Sequence, residues 1–589
     1  MKTFWKILIG SCIGCLVALT IAFLLSLGLI GSLASSGSKP KIPSQDGILR
    51  LDLAQAVSEQ ETDSFQIALT GAMSVGNSLA LADVVGAIDA AAEDPAIKFI
   101  YMRCGTPALT LSQAEEIRAA LLRFRQSGKP IVAYSDTYDN LGYYMHSVAD
   151  RVIFHAYGTP QILGISSSVI FFRDLIDRLG VDVQLIRHGR YKAAGEQFTK
   201  SGMSPDNYEQ NKTLIDAIWN TICSDICASR DFTAAEFNGW LDRLELVDAA
   251  DLLEKGLVDE LMYQDELEDY ICSIAEVDKP EKLKMVALED YIASLKPSFG
   301  RNAIALVYAS GEIAAEGEDG IISGVRMAGL LREIRRDSSV KAVVLRVNSP
   351  GGDAMAAEMI NREIALLREV KPVIASYGEY AASGGYWISA GADRIYTDRM
   401  TVTGSIGVFS MIPSFGKALS RKVGVNVAAV NSNRHSDMLS LMRPLDNAEH
   451  GYFLESIEKV YDDFLDRVAT GRNMDRVRVD ELGQGRIWAG ADAVSNGLAD
   501  EIGGLSDAIA YAELTAGLEK GRYTVKKYPQ VKKFAEKLME SLGRTTVSAG
   551  ASEAFRYDPM KVFEQAYGYL RESFQPVTLA RLPYLYQIR

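Results

Sequence analysis

The chain has 589 residues, too many for one ordinary domain and enough for about two to four. With 48% hydrophobic and 23% charged residues it cannot be a mostly disordered chain, and its glycines and prolines follow no collagen-like period. A net charge of −14 argues against nucleic acid as a partner, because nucleic-acid binders carry basic patches.

Lys2 and Lys6 precede Ile7–Leu33, 27 positions without a charge. As a helix this run reaches about 40 Å, enough to span the hydrocarbon core of a bilayer with tilt. A cleaved signal peptide has an apolar core of only about 7–15 residues. Residues 1–45 therefore read as a cytoplasmic stub and an uncleaved, single-pass signal anchor, although Ser32-Leu33-Ala34 offers a small-x-small cleavage site. The basic amino-terminal side stays in the cytoplasm, a bias that Lys39 and Lys41 weaken without reversing. Everything after about residue 45 then lies outside the cytoplasm.

The exported part repeats itself. Ile97–Pro107 matches Val340–Pro350 at an offset of 243, Lys129-Pro130 matches Lys371-Pro372 at 242, and Gly256–Glu260 matches Gly497–Glu501 at 241. A register held so closely over about 160 residues marks an internal duplication, with one copy over 46–290 and another over 291–525. In the second copy Ala303–Tyr308, Ala342–Val347 and Val373–Ser376 are short apolar runs that read as buried strands. Gly329–Arg335 and Ala356–Leu367 have helical spacing, and Lys371-Pro372 closes the second of these helices near Glu369. Such alternation gives an α/β domain with a largely parallel sheet. Charged residues with Pro280 and Pro297 mark 276–301 as the join between copies. A Lys-rich tail occupies 526–589, and its ending Leu582–Arg589 is apolar enough to pack on its own chain or on a partner.

None of the six cysteines lies after Cys272, which excludes a disulfide framework, and Cys223 and Cys227 have no further ligands near them in sequence. The five histidines show no metal-binding spacing. No metal site and no cofactor are expected.

The copies differ where chemistry would need them to. In the second, Asn348-Ser349-Pro350-Gly351-Gly352-Asp353 follows a buried strand, and paired glycines there let backbone N–H groups face a ligand or an oxyanion. Ala381-Ala382-Ser383-Gly384-Gly385-Tyr386 opens a helix, which places Ser383 near a positive dipole end and offers the N–H of Gly384 as a second donor. The first copy has Pro107-Ala108-Leu109 and Asp139-Asn140-Leu141-Gly142 at these places, without the glycine pair or the serine. The first copy instead keeps Lys192 in Arg190-Tyr191-Lys192-Ala193-Ala194-Gly195-Glu196, where the second has Asn433–Asp437 and no lysine. A serine needs a base, and a lysine whose pKa is lowered by burial can serve. Ser405 in Thr403-Gly404-Ser405-Ile406-Gly407 is a hydroxyl that could orient the amine, and His435 is the rival base.

These motifs together resemble the signal peptide peptidase A (protease IV) family in its long, duplicated Gram-negative form, over nearly the whole chain. The resemblance implies tandem ClpP/crotonase-like domains and a Ser–Lys dyad endopeptidase. It implies Ser383 as nucleophile, Lys192 as general base, Ser405 as the residue that positions the base, and Gly351 or Gly352 with Gly384 at the oxyanion. It further implies remnant signal peptides as substrates, a homotetramer against the inner membrane, and catalytic domains on the periplasmic side. Gly195 departs from the expected pattern, since a bulkier residue would be unsurprising there. Two other readings remain: acyl-CoA chemistry, with Asp353 or Glu379 as the acid, and a non-catalytic membrane scaffold.

Overall fold

The computed structural model describes residues 43–60, 78–103, 106–296, 299–317, 320–530 and 579–582. The apolar run at 7–33 lies outside the described residues, and among those described no helix is long and apolar enough to cross a membrane.

Two parallel sheets carry the duplication. The first runs Glu260–Met262, Arg151–Pro160, Ile131–Tyr138, Ile97–Arg103, Gly47–Asp52 and Met285–Ala287, every neighbour parallel. The second repeats that order with Glu501–Ile502, Arg394–Thr397, Val373–Ala382, Val340–Ser349, Asn302–Ser310 and Tyr523–Tyr528, again parallel, and adds Val402–Gly404, parallel to the end of Val373–Ala382, with Ile487–Ala489 antiparallel beyond it. Parallel strands buried on both faces need continuous apolar runs, and Ala303–Ala309 is buried at every position. Helices pack on the sheets through their apolar stripes. Leu331 and Ile334 of Gly324–Arg336 and Ile360, Ile364 and Leu367 of Ala354–Arg368 join one core with strand residues Val343 and Leu345. The latter helix begins where the Asp353 carboxylate accepts from Ala356 N–H at 2.7 Å, and ends at Glu369 ahead of Lys371-Pro372.

Two boundaries move. The stretch 276–301 is not a plain join, because Met285–Ala287 is the edge strand of the first sheet and helix Leu288–Ser294 buries Leu288 and Tyr291 against the first copy. Its charged residues face water while Val286, Leu288 and Tyr291 point inward, so the first copy extends past residue 290. The tail likewise starts later than residue 526. Lys526 and Lys527 belong to the last strand, and their amines pair with Asp337 and Asp83.

A third, smaller sheet joins the copies. Asp182–His188 of the first pairs antiparallel with Val408–Ser414 of the second along its full length. A buried ionic cluster reinforces this joint. Arg346 is fully buried and donates to Glu59 at 2.7 Å, to Glu116 at 2.6 Å and to the Tyr377 carbonyl at 2.8 Å. Arg399 reaches Glu115 and Asp225 of the first copy. Removing one partner of such a pair leaves the other charge buried and uncompensated, which costs about 3–5 kcal/mol. Arg346→Leu is therefore expected to lower unfolding stability by about that amount, measured by denaturant titration; a loss below about 1 kcal/mol, typical of an exposed pair, would contradict the account.

Candidate active site

Ser383 ends the strand Val373–Ala382 and precedes the helix Gly384–Ser389. Its backbone sits at φ 54° and ψ −114°, the conformation of the first central residue of a type II′ turn, which ordinarily falls to glycine. Ser383 N–H donates to Gly404 O at 2.8 Å, and the pairing of Ala382 with Gly404 fixes the strand end. A non-glycine residue held in this region costs about 1–3 kcal/mol, and in this turn the hydroxyl meets the Lys192 amine. Ser405, at φ 52°, is a second such residue, held by its N–H on Arg486 O at 2.7 Å.

Lys192 comes from the other copy. It lies in the turn after the strand Asp182–His188, so the antiparallel pairing with Val408–Ser414 carries it across to the second copy. Its Nζ stands 2.8 Å from Ser383 Oγ, 3.0 Å from Ser405 Oγ and 3.1 Å from Ser405 O. The side chain is fully buried, and burial alone drives its pKa well below the ordinary lysine value. A neutral amine has two hydrogens and one lone pair. The Ser405 carbonyl and hydroxyl take the hydrogens, and the lone pair is left facing the Ser383 hydroxyl.

Close backbone packing holds the lysine turn. Tyr191 N–H donates to Gln484 O at 2.9 Å, and Arg187 donates to Lys192 O at 2.5 Å. A Cβ on Gly485, whose φ is +78°, would fall 2.5 Å from the Lys192 backbone N and Cβ. The Gly483-Gln484-Gly485 turn is therefore part of the site, and its only sequence signal is a Gly-x-Gly that many turns share. The unexpected Gly195 is explained: it adopts φ 85° before the short helix Glu196–Thr199, and a Cβ there would meet Leu185 at 2.7 Å. Glu196 beside it is buried, which would raise its pKa, but donors from Ser204 and the charges of Lys200 and Arg187 hold it below the usual range.

The glycine turn lies next to the serine. Gly351, at φ 97°, approaches so closely that a Cβ on it would stand 2.6 Å from Gly384 N. Gly351 N–H is taken by Ser349 Oγ at 3.2 Å, which leaves the neighbouring Gly352 amide and that of Gly384 around one spot. The remaining sequence candidates lie elsewhere. His435 pairs with Glu449 at 2.8 Å and is 40% exposed. Asp353 caps a helix, and Glu379 accepts from Ser112 N–H at 3.1 Å across the joint between copies. Neither carboxylate makes a hydrogen bond to Ser383 or Lys192. Among the described residues, His435, Asp446 and Glu449 are near enough to share a cation, but Arg443 already donates to both Glu449 oxygens at 2.7 Å, so the cluster is charge-satisfied.

A sequence profile of peptidase family S49 matches residues 123–277 and 365–519, one match in each copy. Protease 4 of Haemophilus influenzae is 33% identical over 87% of this chain and 86% of its own. Protease 4 of Salmonella typhi is 32% identical over 80% of this chain and 79% of its own. The chloroplastic serine protease SPPA of Arabidopsis thaliana is 32% identical over 73% of this chain and 64% of its own.

A lysine buried neutral is protonated in the unfolded chain at pH 7, so the unfolded state binds the extra proton and stability rises with pH. Lys192→Met removes that penalty. The variant is expected to be more stable than wild type at pH 7, with the difference narrowing as pH approaches about 10.4, the ordinary lysine pKa. Denaturant titrations across pH check this; a constant difference would contradict a desolvated neutral amine.

Proposed function

The chain belongs to peptidase family S49 and is a serine peptidase, and from that premise we propose that it is a membrane-anchored Ser–Lys endopeptidase that degrades signal peptides left in the bilayer after their release. The observation that carries the proposal is the 2.8 Å contact of a fully buried, carboxylate-free Lys192 amine with Ser383 Oγ. Neutral Lys192 takes the Ser383 proton as the oxygen attacks the scissile carbonyl. The amides of Gly352 and Gly384 stabilise the oxyanion, with Gly351 giving the turn its close approach. Protonated Lys192 then gives its proton to the leaving amine, and water releases the acyl-enzyme. Ser405 is a positioning residue in this scheme, since it occupies the amine's two hydrogens.

The membrane part of the proposal rests on the uncharged run Ile7–Leu33 behind Lys2 and Lys6, which suits a single-pass inner-membrane anchor with both copies on the periplasmic side. A peptidase tethered there meets apolar peptides at the bilayer surface. The ClpP/crotonase-like description of each copy is supported by the parallel sheet order that the two share. A homotetramer facing the membrane completes the proposal and is read by light scattering of the detergent-solubilised protein.

The test is hydrolysis of a fluorogenic peptide of small apolar residues, alongside a synthetic signal peptide in micelles. Ser383→Ala and Lys192→Ala are each expected to lose more than about 10³-fold in kcat/KM while remaining folded. Wild-type activity should rise with pH as a single amine deprotonates below the ordinary lysine range, and Ser405→Ala should move that midpoint. A fully active Lys192→Ala variant would remove the dyad from the proposal, and cleavage of soluble unfolded protein in preference to signal peptides would remove the substrate class.

A further inference from the structure

Glu196 is a buried carboxylate that the dyad chemistry leaves unused. It is 1% exposed and lies four residues beyond Lys192. Gly195, at φ 85°, reverses the chain just before it. Glu196 N–H donates to Ala193 O at 3.0 Å and Ala193 N–H to Tyr191 O at 2.7 Å, which closes the turn. The carboxylate is thereby brought back to the strand Asp182–His188, where Arg187 Nη1 donates to its Oε1 at 3.2 Å. The same nitrogen donates to Lys192 O at 2.5 Å. One guanidinium nitrogen thus joins the carboxylate to the carbonyl of the lysine.

A second route runs through two amides. Asn207 Nδ2 donates to Glu196 Oε2 at 3.1 Å. Asn207 Oδ1 accepts from Gln210 Nε2 at 3.3 Å, and Gln210 Nε2 also donates to Tyr191 O at 2.9 Å. Asn207 and Gln210 are each 1% exposed. The carbonyls on both sides of the Lys192 Cα are therefore tied to Glu196. Buried polar groups cost free energy unless hydrogen-bonded, and a network in which they are bonded fixes a single arrangement. Burial works against ionisation of Glu196, but the Ser204 hydroxyl and the charges of Lys200 and Arg187 keep it ionised. Other charges on this side are paired with each other, Glu209 with Arg486 at 3.5 Å and Asp206 with Arg190 at 3.9 Å. Across the joint Asp480 accepts from Tyr461 at 2.6 Å and from Gln484 at 2.5 Å. The balance of charge beside the lysine turn is thus set by one carboxylate and two cations.

We propose that Glu196 is a positioning residue for the base: through Arg187 and the Asn207 and Gln210 amides it fixes the backbone on both sides of Lys192, and its charge offsets the cations beside that turn. The proposal rests on the peptidase reading of the site. A long side chain carries any displacement of its root out to its tip, and misplacing a reacting group by about 1 Å costs about 10²-fold in rate.

Hydrolysis of the fluorogenic peptide across pH tests this, with each rate divided by the folded fraction from circular dichroism. Glu196→Gln keeps the shape of the side chain and removes the charge. It is expected to lose about 10- to 100-fold in kcat with KM unchanged. Its midpoint in kcat/KM should move down by about 0.5 pH unit, because Arg187 and Lys200 then disfavour the protonated amine. Arg187→Met removes the bond to Lys192 O at a partly exposed position, and it decides the matter where Glu196→Gln fails to fold. It is expected to lose kcat in the same way, with the midpoint moved up because a cation has gone. Glu196→Asp keeps the charge without the reach, so it should return the midpoint to the wild-type value and leave kcat low. A residue that only held the fold together would give no opposed shifts. Wild-type kcat per folded molecule in Arg187→Met, a loss confined to KM, or midpoints that stay at the wild-type value would each overturn the proposal. Wild-type hydrolysis that Lys192→Ala abolishes would still leave the peptidase reading standing, whereas hydrolysis indifferent to Lys192→Ala would overturn both.

Discussion

An amine shut away from water with no carboxylate to pair with is the constraint around which this molecule is organised. Lys192 is buried, its pKa is depressed by desolvation alone, and its hydrogens are taken by one residue, Ser405. Burying a lysine this way destabilises the fold at neutral pH, so the surroundings must over-determine its position. Gly485 admits the lysine backbone at a distance no Cβ would allow, and the strained backbones of Ser383 and Ser405 aim both hydroxyls at the amine. The rest of the chain supplies the stability that offsets these penalties.

Duplication provides the means. Two copies whose sheets share a six-strand parallel order each supply half of the chemistry, and neither copy alone brings an amine to a serine. The strand Asp182–His188 leaves the first copy and pairs with Val408–Ser414 of the second, so registry between copies is set by backbone hydrogen bonds. The Arg346 and Arg399 clusters lock the same joint with charges that are costly to leave unpaired. In the first copy the turn that matches the serine opens its helix with Asp139, which caps Gly142 N–H at 2.6 Å. Capping keeps the helix start intact there after the nucleophile is absent.

Much of this was legible in the sequence because duplication writes each element twice. The strands stand out because both copies carry them, the glycine pair before Asp353 and the serine turn at 383 stand out against a copy that lacks them, and Lys192 emerges only from that contrast, since a lone lysine has no signal. Gly485 was not legible: its role comes from contact with a residue almost three hundred positions away. The helix Leu288–Ser294 was obscured by flanking charges and prolines, although Leu288 and Tyr291 carry its buried face. The strand at 579–581 was hidden too, because three residues show no period and their partners are the glycines of the cleft.

The central claim is that a neutral Lys192 activates Ser383, and the most direct measurement is the rate at which a fluorophosphonate phosphonylates Ser383, with loss of fluoride, as a function of pH. Because this reaction needs only an activated hydroxyl, it is independent of which peptide fits the cleft. The account predicts labelling located at Ser383 by mass spectrometry, with a rate that climbs through one deprotonation below the ordinary lysine range and is abolished in Lys192→Met. Labelling of Lys192→Met at the wild-type rate, or a pH profile unchanged by that substitution, would contradict it.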